Sequence, residues 1–126
     1  MRIVDTSAWI EITSQTRLGE KLRPELPSQD RWLVPTIVQF ELARWLEREA
    51  SRAASDRILA FSGQCVVAPL DTRIAMLAAM AAGDRGLAMA DAIVYATAVE
   101  HGADLLTCDA HFAKLDKVVC FARGGA

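Results

Sequence analysis

Arg2-Ile3-Val4-Asp5-Thr6-Ser7 joins three residues of strand character to a carboxylate and two hydroxyls. β-Branched Ile3 and Val4 suit a pleated, buried strand, and the acid after them falls at its carboxyl end. The pattern returns near the far end of the chain, where Asp104-Leu105-Leu106-Thr107 leads through Cys108 to Asp109. Between these two strands lie Trp32-Leu33-Val34 and Cys65-Val66-Val67-Ala68, and Val118-Val119-Cys120-Phe121 follows the second. Helical patterns fill the intervals over residues 8–12, 16–24, 36–49, 55–61, 72–82 and 90–101. Strands alternating with helices predict a three-layer α/β/α domain around a central, mostly parallel, five-stranded sheet.

Local signals mark several boundaries. Thr36 with Gln39 forms a capping-box pattern, Asp71 is placed to cap the helix from Thr72, and Gly83 and Gly102 are placed to end helices. The 126 residues make one domain, 1–126, with Gly124-Gly125-Ala126 expected to fray. A formal net charge of −2 excludes a protein that coats nucleic acid through charge alone. Cys65, Cys108 and Cys120 form no even framework and read as reduced thiols. Asp5 arrives too early for a signal peptide, and Asp91 interrupts the longest apolar stretch (Leu87 to Val99). The expectation is a cytoplasmic chain with no membrane span.

Four carboxylates are candidates for chemistry. Asp5 and Asp109 end two strands, where open parallel sheets place ligands near the reversal of strand order; turn or cap aspartates are the alternative. Glu41 is more informative, because on a helix it falls within the stripe of Ile37, Val38 and Trp45. A charge there needs a cation, a shifted pKa or a metal; a salt bridge to Arg44 is the competing explanation. Asp91 opens an Ala-rich central helix and, taken alone, reads as its cap. Together the four acids would meet at one edge of the sheet. Two charges about 4 Å apart repel by about 4 kcal/mol at an effective dielectric of about 20. Hard divalent cations want such oxygen ligands. Thr6, Ser7 and Thr107 stand beside the acids with hydroxyls able to orient ligands or water.

The sequence resembles PIN-domain ribonucleases, specifically VapC-type toxins of toxin–antitoxin pairs. Ile3-Val4-Asp5-Thr6-Ser7 matches the opening motif, Glu41 after Pro35 the helical glutamate, Leu87 through Asp91-Ala92-Ile93 to Ala103 the third-acid helix, and Leu106-Thr107-Cys108-Asp109-Ala110-His111-Phe112 the closing motif. The resemblance covers essentially the whole chain. It implies that Asp5, Glu41, Asp91 and Asp109 are metal ligands or organisers of water, with Thr6 and Thr107 in support. It further implies Mg²⁺ or Mn²⁺, an RNA substrate, a homodimer and a cognate VapB-like antitoxin. Cys108 stands where many relatives carry a basic or polar residue. A catalytically silent binding module of the same fold is the rival reading.

Lesser features have plainer explanations. The Asp5-Thr6-Ser7 stretch lacks the second aspartate of an Asp-x-Asp phosphotransferase, and no Gly-rich phosphate loop occurs. One pair, Cys108 and His111, cannot fill a zinc site and reads as core packing. Arg44, Arg48 and Arg52, with Arg57 beyond, read as a solvated face, Asp116 as a surface acid, and Trp9, Trp32 and Trp45 as core or antitoxin groove.

Overall fold

The computed structural model describes residues 1–123; the tail expected at 124–126 lies outside them. Five strands, β1 (Arg2–Val4), β2 (Trp32–Pro35), β3 (Val66–Ala68), β4 (Asp104–Thr107) and β5 (Val118–Cys120), form one sheet in the order β3-β2-β1-β4-β5. Every neighbouring pair is parallel. Six helices connect them: α1 (Thr6–Thr13), α2 (Arg17–Leu22), α3 (Thr36–Glu49), α4 (Arg52–Gln64), α5 (Thr72–Arg85) and α6 (Met89–His101). The chain steps from β1 to β2 to β3 in one direction, then recrosses to β4. Right-handed crossovers therefore put α1–α4 on one face and α5–α6 on the other.

Ile3, Val4, Leu33, Val34, Leu105 and Leu106 are essentially inaccessible, because a parallel sheet is covered on both faces. Trp9, Trp32 and Phe61 form an aromatic cluster, with Trp9 and Trp32 centroids 4.9 Å apart. Ile74, Ala78, Ala92, Ile93 and Ala96 make a second, smaller core between α5 and α6. Small side chains there let the two helices approach closely.

Several local expectations change. The capping box at Thr36 does not form: Pro35 is the cap residue, the Thr36 hydroxyl accepts from the Leu70 N–H, and Gln39 donates to the Ser62 hydroxyl at 3.1 Å. Tertiary partners outcompete the local motif. The helix expected over 55–61 starts at Arg52, because the Ser51 hydroxyl caps it by accepting from the Ala54 N–H. That expected over 16–24 is α2 followed by a 3₁₀ turn, Arg23–Glu25, with Pro24 inside it. Gly83 does not end α5. The helix runs through this exposed position to Gly86, whose φ of 66° supplies the left-handed stop. Asp71 does cap α5, accepting from the Ile74 N–H at 2.9 Å. No helix among the described residues is long and apolar enough to cross a membrane. All three cysteines are free thiols.

Candidate active site

The direction of travel across the sheet reverses between β1 and β4, so a crevice opens beyond their carboxyl ends. Asp5 leaves β1 at that point, its N–H donating to the Leu106 carbonyl on β4 at 2.8 Å. Asp5 occupies the cap position of α1, yet its side chain makes no capping bond. The Ser7 and Thr107 hydroxyls instead donate to Asp5 Oδ2, at 2.8 and 2.9 Å. Each hydroxyl also accepts a backbone N–H, Ser7 from Cys108 and Thr107 from Asp109, both at 3.0 Å. A hydroxyl has one proton to donate, so this pattern fully specifies both and locks the carboxylate between two strand ends. Burial, with Asp5 6% exposed, raises its pKa; the two hydroxyl bonds oppose that rise, and the charge of Asp109 adds to it.

Glu41 projects from α3 toward the same crevice. Its partner is Thr6, whose hydroxyl donates to Glu41 Oε1 at 2.8 Å, and no ion pair with Arg44 forms among the described residues. Partial burial raises the Glu41 pKa against that hydrogen bond, with the charge of Asp5 adding to the rise. Thr6 and Thr107 thus orient carboxylates directly.

The structure corrects the reading of Asp91 as a cap. Ala88 holds the cap position of α6, and Asp91 lies in the first helical turn, where the helix dipole favours a negative charge. Burial, followed by the charges of Asp109, Asp5 and Glu41, nevertheless pushes its pKa up to about 6, against a lowering by His111. The other three acids therefore all act on this one carboxyl. Asp109 behaves partly as its turn alternative supposed, since Oδ1 accepts the His111 N–H at 2.9 Å at the head of a 3₁₀ turn.

Sequence reasoning assigned His111 to the core, and it is exposed; only its companion Cys108 is buried, with a thiol pushed up to about 11 by burial. The His111 Nδ1 lies 2.8 Å from Asp109 Oδ1. His111, Asp91 and Arg85 line a cleft of about 260 Å³ together with Gly86, Leu87 and Ala88. Arg85, whose guanidinium lies over the Tyr95 ring, was not singled out by the sequence, because a lone arginine near a helix end has an ordinary role. Arg44, Arg48, Arg52 and Arg57 are exposed away from this cleft, and Arg52 pairs with Asp56. Asp116 is exposed and lines a separate cavity beside Tyr95 and Val118. Trp9 and Trp32 are core, whereas Trp45 is half-buried and lines a cleft of about 470 Å³ with Ile12 and Ile58.

Residues 2–118 match the family model described as PIN domain. The chain belongs to the PIN domain family. Solved structures agree on the fold of this PIN domain. A toxin–antitoxin complex from Klebsiella pneumoniae superposes with a TM-score of 0.83 at 20% identity, covering 97% of this chain and 99% of that one. DNA-bound VapBC from Salmonella typhimurium gives 0.70 at 16% identity, with 96% of each chain covered. VapC20 of Mycobacterium tuberculosis, a sarcin–ricin loop cleaving toxin, gives 0.67 at 16% identity, covering 83% of this chain and 87% of that one. No curated protein sequence matches the chain.

Proposed function

We propose that this PIN domain is a metal-dependent endoribonuclease toxin of the VapC type, neutralised by a cognate VapB-like antitoxin. The observation that carries the reading is the convergence of Asp5, Glu41, Asp91 and Asp109 on the crevice between β1 and β4, where burial and then the charges of the other three acids raise the Asp91 pKa to about 6. A fold that gathers four acids where three stay hydrogen-bonded by hydroxyls or N–H groups holds a site for positive charge.

The donor set fits a divalent cation, since it is mainly carboxylate oxygen with one imidazole within reach. Asp5, Glu41, Asp91 and Asp109 are the residues assigned to hold Mg²⁺ or Mn²⁺ and its water. When bound, such an ion polarises a phosphodiester and lowers the pKa of water. The chain itself supplies orientation: Ser7 and Thr107 fix Asp5, Thr6 fixes Glu41, and the Asp109 turn faces Asp91 across the crevice. Arg85 at the cleft is placed to meet a phosphate. The Trp45 cleft between α1, α3 and α4 is the seat assigned to the antitoxin segment, since it joins apolar side chains to Arg23 and Arg57. The working unit is a cytoplasmic homodimer of single domains spanning 1–126.

The test is RNA cleavage by protein stripped of any antitoxin, with Mg²⁺ or Mn²⁺ and with EDTA. Metal-dependent cleavage that Asp5→Asn abolishes is the expected result. Cleavage that persists in EDTA would overturn the metal assignment, and metal binding with no cleavage of any RNA would favour a silent binding module.

A further inference from the structure

The acidic site contains one group of a different chemistry. His111 is held close by two contacts to a single oxygen: its backbone N–H donates to Asp109 Oδ1 at 2.9 Å, and its ring Nδ1 lies 2.8 Å from the same atom. A ring nitrogen of His111 and one carboxylate oxygen each from Asp91 and Asp109 all lie within 4.8 Å of one another. Around a six-coordinate ion with bonds of about 2.1 Å, neighbouring ligands stand about 3 Å apart and opposite ones about 4.2 Å. The Asp109–His111 pair already has the spacing of neighbouring ligands. The Asp91 oxygen lies within 4.8 Å of both, so an inward side-chain movement brings the three to ligand spacing. The ring is also open to an incoming ion, with 80% of the side chain exposed.

Resting on the reading of this crevice as a divalent-cation site, we propose that His111 is a nitrogen ligand of the ion held by Asp91 and Asp109. The site is then a mixed oxygen–nitrogen centre that discriminates for Mn²⁺ against Mg²⁺. The reason is chemical: Mg²⁺ is hard and gives up water reluctantly, whereas imidazole binds first-row transition ions readily. Without His111 the same carboxylates are an ordinary hard-oxygen site.

The experiment uses the full chain freed of metal, with Mn²⁺ alone as the probe. Binding is read by loss of the free-ion electron paramagnetic resonance signal, and ligand identity by nitrogen modulation of the spin echo. The chain has 2 histidines. The other, His101, sits at the far end of α6 from Asp91 with its ring against the Thr97 carbonyl, so it serves as the control. The expected result is nitrogen modulation in the wild type and in His101→Ala, and its loss in His111→Ala. The same loss is expected in His111→Gln, which keeps a hydrogen-bond donor for Asp109. His111→Ala should weaken Mn²⁺ binding on the order of tenfold and Mg²⁺ binding far less. Bound Mn²⁺ with no nitrogen modulation, or modulation that survives His111→Ala, overturns the assignment while leaving the carboxylate site intact. Failure of the wild type to bind Mn²⁺ at all overturns both.

Discussion

Replacing Asp91 by asparagine removes one charge from the crowded crevice and keeps the side-chain shape. In the metal-free protein the Asp91 carboxyl titrates at about 6 instead of 3.8, through burial and the charges of Asp109, Asp5 and Glu41. That rise is nominally about 3 kcal/mol of destabilisation of the charged form. Asp91 is only half-buried, so solvent screening leaves about 1–2 kcal/mol. Above about pH 6 the carboxyl is charged in both folded and unfolded chains, and only the folded chain bears the cost of burial and repulsion. Between about pH 4 and 6 the folded chain binds more protons, so wild-type stability falls as pH rises through that window. Asp91→Asn should therefore raise the melting temperature at pH 8 in EDTA by about 4–8 °C for a domain of this size. At about pH 4.5 roughly half of that gain should remain, and added salt should shrink it throughout. Thermal unfolding followed by circular dichroism across this pH range is the assay. A variant no more stable than wild type at pH 8, or one whose gain is independent of pH, would refute the argument that the crevice disfavours the charged form of Asp91.

Adding Mn²⁺ at about a hundredfold its Kd should stabilise the wild type by about 2.7 kcal/mol and Asp5→Asn by much less, read as a thermal shift; without metal, Asp5→Asn should melt no lower than wild type. Thr6→Val removes the donor that orients Glu41 and should slow RNA cleavage on the order of tenfold, with Thr6→Ser restoring it. Gly19→Ala drives a Cβ into the Glu11 carbonyl where α2 crosses α1. Urea unfolding should show a loss of about 1–3 kcal/mol, and an unchanged midpoint would show that the two helices separate freely.

Much of the fold was legible because its signals are local. Ile3-Val4 and Leu105-Leu106 alternate with long amphipathic patterns, and short β-branched runs between helices have few other solutions. The boundaries that moved did so where a partner distant in sequence took over: Leu70 claimed the Thr36 hydroxyl, Ser62 claimed Gln39, and an exposed Gly83 had no reason to stop a helix that Gly86 stops better. The site divides in the same way. Glu41 carried its own signal, since a charge inside an apolar stripe needs a partner. Asp91 had a cap as a sufficient local explanation and lost it only when Ala88 took the cap position.

The sequence by itself determined which residue types were present, their order and their placement at strand ends and helix starts, because these depend on neighbours within a few residues. Only the tertiary structure decided that Ser7 and Thr107 lock Asp5, that Thr6 and not Arg44 partners Glu41, and that His111 joins the acids. Thr107 and Asp5 are 102 residues apart and Thr6 and Glu41 are 35 apart, so the decisive contacts join distant parts of the chain. They exist because the parallel sheet sets β1 beside β4 and brings two strand ends, two helices and a turn to one crevice.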